Sequence, residues 1–162
     1  MDYGPVWRRL HSHVVEAGAR DILFLLVHNK LPVPERLFRI GLRQDPYCRV
    51  CVGAEIGDLL HFFCFCERTR EAWAWVRFKI LELCGQGLIS SNWELLNLFL
   101  PRTESEQEII WLVSNFVSYA WESIFNRNSD VKLDKLFGFL TFKYKMDKKF
   151  SGVSLGQING FT

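Results

Sequence analysis

The sequence has no apolar run long enough to cross a bilayer. The longest, ILFLLV at 22–27, falls far short of the roughly 20 residues that a spanning helix needs, so no membrane association is expected. The first residues, MDYGPVWRRLHSHVV, offer neither a basic start followed by an apolar stretch nor a small-residue cleavage site. Export is therefore not expected, and a reducing interior, cytoplasm or nucleus, is the expected setting. Charge of one sign is scarce too: 20 Lys and Arg stand against 18 Asp and Glu, a formal net charge of +2. That excludes a global basic excess of the kind that by itself marks a nucleic-acid binder, so any such surface has to be local. Also missing are low-complexity stretches, internal repeats and cleanly alternating strands. There is no Gly-rich phosphate loop, no G-x-S-x-G and no polymerase-like pair of aspartates, and without them enzymatic activity in this chain is not expected.

What the sequence does hold is apolar mass. Nearly half of its 162 residues are apolar, with 14 Phe, 6 Trp and 4 Tyr, enough for a sizeable core in about one domain. The periodicity is helical. Trp7, Leu10, Val14 and Ala17 fall on one face, which predicts an amphipathic helix ending near Gly18. A second helix, Arg20 to about Asn29, is apolar all round at its centre and is expected to be the most buried element. LPVP at 31–34 stops it, and ERLFRIGL adds a turn or two up to Gly41. Glu67 to Leu83 predicts a further helix, followed by a linker to about Asn92 and a short helix, WELLNLFL, ended by Pro101. Ser105 with Glu108 three residues later is a capping-box pattern opening a helix to about Asn126. That helix is so apolar that it either sits centrally or faces a partner. The last helix, about 131–149, sets six lysines against two aspartates, and the final residues read as a loose tail. The expected fold class is mostly α. Its expected organisation is a helical metal-binding domain over 1–84, a linker and short helix over 85–102, a helical region over 103–149 and a tail over 150–162.

The chemistry is concentrated in CRVCVGAEIGDLLHFFCFC, residues 48–66. Five cysteines are an odd number, and in a chain without an export signal they do not suggest a disulfide framework. Zinc asks for about four nitrogen or sulfur ligands in a tetrahedron, and C-x2-C supplies two from one tight turn. Cys48 and Cys51 have that spacing, Pro46 and Gly53 suit its bends, and Gly57 with Asp58 allows a turn into a helix bearing His61. The fourth position lies between Cys64 and Cys66. On an unbroken α-helix residues three apart share a face while residues five apart sit about 140° round. Geometry alone favours Cys64, and Cys66 can swing in only if the helix loosens after Phe63. The alternative to a metal is a set of small buried thiols, since cysteine is among the most buried residue types. Four candidate ligands within 19 residues argue against it. Cys84 stands apart and reads as core, and His11, His13 and His28 have no ligand constellation near them. All four positions can be filled, which describes a closed structural site. H-x-E before C-x-x-C, as deaminase chemistry requires, is missing.

The stretch from Ile22 to Val76 resembles the zinc-binding domain at the C-terminal end of reverse transcriptases from LINE-type (non-LTR) retrotransposons. The resemblance is carried by His28-Asn29-Lys30-Leu31-Pro32 after an apolar helix, Arg36-Leu37, the Cys48/Cys51 pair, His61 and Cys66 with Phe62 and Phe63 between, and Trp73 seven residues after Cys66. YAWESIFNRN, 119–128, is similar to a stretch that often follows this domain. The register of Trp73 favours Cys66 as fourth ligand. The chain departs from the family in AEIGDLL at 54–60 and in Cys64, which stands where an apolar residue is usual. The resemblance implies a structural Zn2+ held by Cys48, Cys51, His61 and Cys66. It also implies a noncatalytic module that helps hold RNA or target DNA, the polymerase and endonuclease parts of such enzymes lying upstream of it.

Phosphates are held by Lys and Arg, and single strands also by aromatic stacking. Arg36, Arg39, Arg43 and Arg49 flank or enter the metal stretch beside Tyr47, and the spacing of the first three predicts one helical face. Lys143 and Lys145, with Lys132, Lys135, Lys148 and Lys149, crowd the last helix. Two functions are therefore expected to compete. One is a zinc-stabilised nucleic-acid-binding module. The other is a protein-interaction domain that docks through its apolar C-terminal helices on another chain or on a parent reverse transcriptase.

Overall fold

Pro5, in the first turn, presets the backbone of α1, Gly4–Leu10. Arg20 braces its end: its Nε donates to the Leu10 carbonyl at 3.0 Å, an acceptor that the helix end leaves free, and its Nη2 to the Val15 carbonyl of the following turn at 3.2 Å. The helix predicted to run on to Gly18 thus stops at Leu10. The chain turns, and Ala17 and Gly18 instead open α2, Ala17–Val27. The computed structural model describes residues 2–85, 90–100 and 102–146. After α2 come α3 (Pro34–Arg39), a π-helical turn (His61–Phe65), α4 (Arg70–Cys84), α5 (Asn92–Leu96), α6 (Glu106–Trp121), a second π turn (Glu122–Asn126) and α7 (Leu133–Met146). The fold is mostly α, as expected; among the described residues the β pairing is a single antiparallel bridge, Tyr47 to Ile56. No helix among them is long and apolar enough to cross a membrane. The tail from 150, Lys148, Lys149 and Pro101 lie outside the described residues.

The centre belongs to α6. Ile110, Leu112, Val113, Phe116, Val117 and Ala120 are each 0 % exposed, and every residue from Ile109 to Val117 is buried, so α6 is enclosed on all sides, with contacts to α2, α4, α5 and α7. The expectation that α2 would be the most buried element is overturned. It lies outside α6 and covers only Ala19, Leu23 and Leu26, leaving Phe24 and Leu25 at 48 % and 37 % exposure. One continuous core runs from Val6 to Leu140, so the half that carries residues 48–66 and the C-terminal helices share their interior. Trp73 of α4 meets Phe116 of α6 with ring centroids 5.3 Å apart. Buried Arg9 ties α1 to the segment before α6, donating to the Leu98 and Leu100 carbonyls at 2.9 and 2.7 Å and pairing with Glu106. The capping box expected at Ser105 is not formed. Ser105 precedes α6 without a side-chain cap, and the box is made instead at α5, where Ser91 and Glu94 cap each other's backbone N–H groups.

Candidate metal centre

The segment after α3 is built to present two thiols from one loop. Gly41 takes φ 78° at the end of α3, and Arg43 turns back so that its Nη2 donates to the Tyr47 carbonyl at 3.0 Å. Cys48 N–H donates to the Glu55 carbonyl at 2.8 Å and Gly57 N–H to the Pro46 carbonyl at 2.9 Å, closing the loop. Gly53, at φ 102°, makes the reversal at its tip that a residue with a Cβ resists. The Gly57 carbonyl accepts from Glu35 N–H at 3.1 Å, and a Cβ at Gly57 would stand 2.8 Å from Pro34, so α3 lies hard against the base of the loop.

The second pair of donors comes from the helical run that follows. Asp58 Oδ1 accepts from His61 N–H at 2.7 Å, capping its start. The helix then widens. Cys66 N–H donates five residues back, to the His61 carbonyl at 2.7 Å, rather than to Phe62. The Phe62 carbonyl so released accepts from Thr69 Oγ1 at 2.8 Å, and Thr69 is fully buried. This π turn is the loosening that residues 61–66 need. It carries Cys66 to the side of His61 and sends Cys64, 3 % exposed, into the core.

Cys48, Cys51, His61 and Cys66 come together with their ligand atoms all within 4.8 Å of one another. Cys66 Sγ lies 3.9 Å from Cys48 Sγ and 3.8 Å from Cys51 Sγ, and all four cysteines from 48 to 66 are free thiols. His61 is 7 % exposed, and its Nε2 is buried without a hydrogen-bond partner, an arrangement that costs free energy unless a ligand takes the lone pair. The donor set fits a metal ion. Burial is the largest influence on the Cys48 thiol and pulls it up, but hydrogen bonds from the Cys51 and Val50 backbone and contacts with Cys66 and Cys51 together outweigh it and set Cys48 below its ordinary value. Burial pushes Cys66 up to about 12, the neighbouring Cys48 and Cys51 sulfurs adding to it. Glu67 N–H also donates to Cys51 Sγ at 3.3 Å.

The predicted basic residues separate. Arg36 and Arg39 lie on α3, the first reaching the Asn29 carbonyl at 3.3 Å and the second pairing with Glu35 at 2.8 Å. Arg43 is not on their helical face, because α3 ends at Arg39. It braces the metal loop, 3.6 Å from Asp45. Arg49 is exposed. On α7, Lys143 pairs with Glu16 and lies 5.8 Å from the Phe139 ring centroid, while Lys145 is exposed. His11, His13 and His28 are surface residues, and His28 stacks on Trp7 at 5.4 Å.

Arg68 was not singled out by sequence, and its role has no local signal. Its Nη1 donates to Asn128 Oδ1 at 2.8 Å and its carbonyl accepts from Val131 N–H at 3.0 Å, joining the metal centre to the chain some sixty residues on. Phe62 packs on Trp121 with ring centroids 5.2 Å apart at the same seam. Compared with family models, with curated proteins and with solved structures, the chain matches none.

Proposed function

We propose that the chain is a noncatalytic nucleic-acid-binding module organised by a structural zinc ion, of the type found at the C-terminal end of LINE-type reverse transcriptases, and that it holds RNA or single-stranded DNA. The observation that carries this reading is the convergence of Cys48, Cys51, His61 and Cys66, the four residues the resemblance selects. Sulfur separations of 3.8 and 3.9 Å match the edge, roughly 3.8 Å, of a tetrahedron with metal–sulfur bonds of about 2.3 Å. Three thiolates and one imidazole favour zinc over the hard cations. With four protein donors no position is left for a reacting water, so the ion's work is to fold the loop. Arg36, Arg39 and Arg49 supply the phosphate contacts beside it.

Native mass spectrometry of the purified chain tests the reading, before and after a chelator and with a short single-stranded oligonucleotide. The expected result is one zinc per chain and an oligonucleotide complex that weakens with salt and with Arg39→Ala and Arg49→Ala together. A zinc-loaded chain that takes no oligonucleotide at low salt overturns it.

A second reading, a protein-interaction domain, has its own observation. The surface of α6 is spent on the core, but Phe38, Ile40, Leu42, Val52, Ile56 and Phe65, around the metal loop, are 45–89 % exposed. A patch of that kind marks contact surfaces. A stable dimer together with no oligonucleotide binding would select this reading.

A further inference from the structure

Beside the metal quartet lies a cavity of about 180 Å³. Its apolar wall is Pro34, Val50, Phe62 and Ile124, and Arg43, Arg49 and Arg68 complete it with Cys48, Gly57, His61 and Cys66. No carboxylate is among the lining residues. We infer that this cavity is a seat for a single unpaired nucleobase, with the following or preceding phosphate on Arg49. The inference rests on the nucleic-acid reading above and names the place where that reading is discriminating.

Three features select a base. First, the guanidinium groups have unspent donors. Arg43 Nε is buried without a hydrogen-bond partner, and Arg68 Nε, 3.4 Å from Asp130 Oδ1, lacks hydrogen-bond geometry. A buried donor of this kind is costly until an acceptor reaches it. Second, the wall is apolar and partly aromatic, and Phe62 is held in place against Trp121 and Phe63. A free phosphate would lose hydration against that wall, and an aliphatic side chain would leave the arginine donors unpaired. A flat heteroaromatic ring with acceptors on its edge satisfies both surfaces, as unstacked bases do against aromatic and guanidinium planes. Third, one of the three guanidinium groups has no carboxylate beside it. Arg43 lies 3.6 Å from Asp45 and Arg68 3.4 Å from Asp130, whereas Arg49 lines the cavity without an ion pair among the described residues. Arg49, exposed beside Val50, is free to take a phosphate.

The test uses the full zinc-loaded chain and a short oligouridylate carrying one photoreactive 5-iodouridine, with binding followed by fluorescence anisotropy and cross-links located by peptide mass spectrometry. The expected cross-link is at Phe62 or Val50. Val50→Trp, which fills the cavity from its exposed side, should weaken binding about tenfold, the loss of one stacked base, while the chain keeps one zinc. Ile124→Trp fills the same cavity from the opposite wall and should do the same, so a folding defect in either variant is separable from loss of the seat. Binding with cross-links elsewhere and no response to either tryptophan overturns the seat and leaves the nucleic-acid reading standing. No binding by the wild-type chain at low salt overturns both.

Discussion

At the level of single residues, two cysteines two positions apart have opposite roles. Cys66 faces the quartet and Cys64 the core, so Cys66→Ser should remove the metal and melt the loop, while Cys64→Ser should keep one metal per chain. The serine at 64 would place a hydroxyl in an apolar setting at a cost of about 1–3 kcal/mol. Metal stoichiometry by native mass spectrometry and denaturant unfolding of the two variants separate these outcomes. The pH dependence follows from the same donors. A metal binds thiolates and displaces protons, so affinity falls on acidification and the loaded chain is destabilised toward low pH. Thermal unfolding of the zinc-loaded chain should show a midpoint that falls as pH drops, with metal loss by native mass spectrometry over the same range. The ligand types and the C-x2-C pair were readable from spacing. The choice of Cys66 was not readable from helix geometry, because an α-helix of ordinary pitch excludes it.

Among the elements, the capping residues give the clearest contrast. Ser91 and Glu94 form a reciprocal box at α5, whereas Ser105 makes no side-chain cap at α6. Ser91→Ala should cost about 1 kcal/mol and Ser105→Ala close to nothing, measured by chemical denaturation of each variant. Both serines stand three residues before a glutamate, so the pattern itself does not distinguish them; whether the serine's backbone is extended does. Ser91 has φ −69° and ψ 162°, while Ser105, at −93° and 17°, is already turning. The π turn at His61–Phe65 belongs to the same level. It is held by Thr69 capturing the Phe62 carbonyl, a partner outside the turn that periodicity within it does not reveal.

Across the whole molecule, the metal centre depends on helices far along the chain. α2 packs on α6, Trp73 on Phe116, and Arg68 binds Asn128. Residues 1–84 alone lack the centre of this core. That fragment should show no cooperative unfolding and little amide dispersion by NMR even with zinc, whereas 1–146 should show both. The helix periods and the apolar character of 105–126 were legible, and so was the mostly α class. The central position of α6 was not, because an all-round apolar helix and an interface helix have the same sequence pattern.

By itself the sequence determined the helices, the ligand types and their spacing, since each depends on residues within a few positions of one another. The resemblance already selects Cys66, but only the tertiary structure supplies the π turn that brings it beside His61, decides which serine caps, and takes Arg43 off the helical face of Arg36 and Arg39 to brace the loop. Those outcomes depend on partners brought together from distant parts of the chain, where a hydrogen bond or a buried ring selects among local conformations of nearly equal energy.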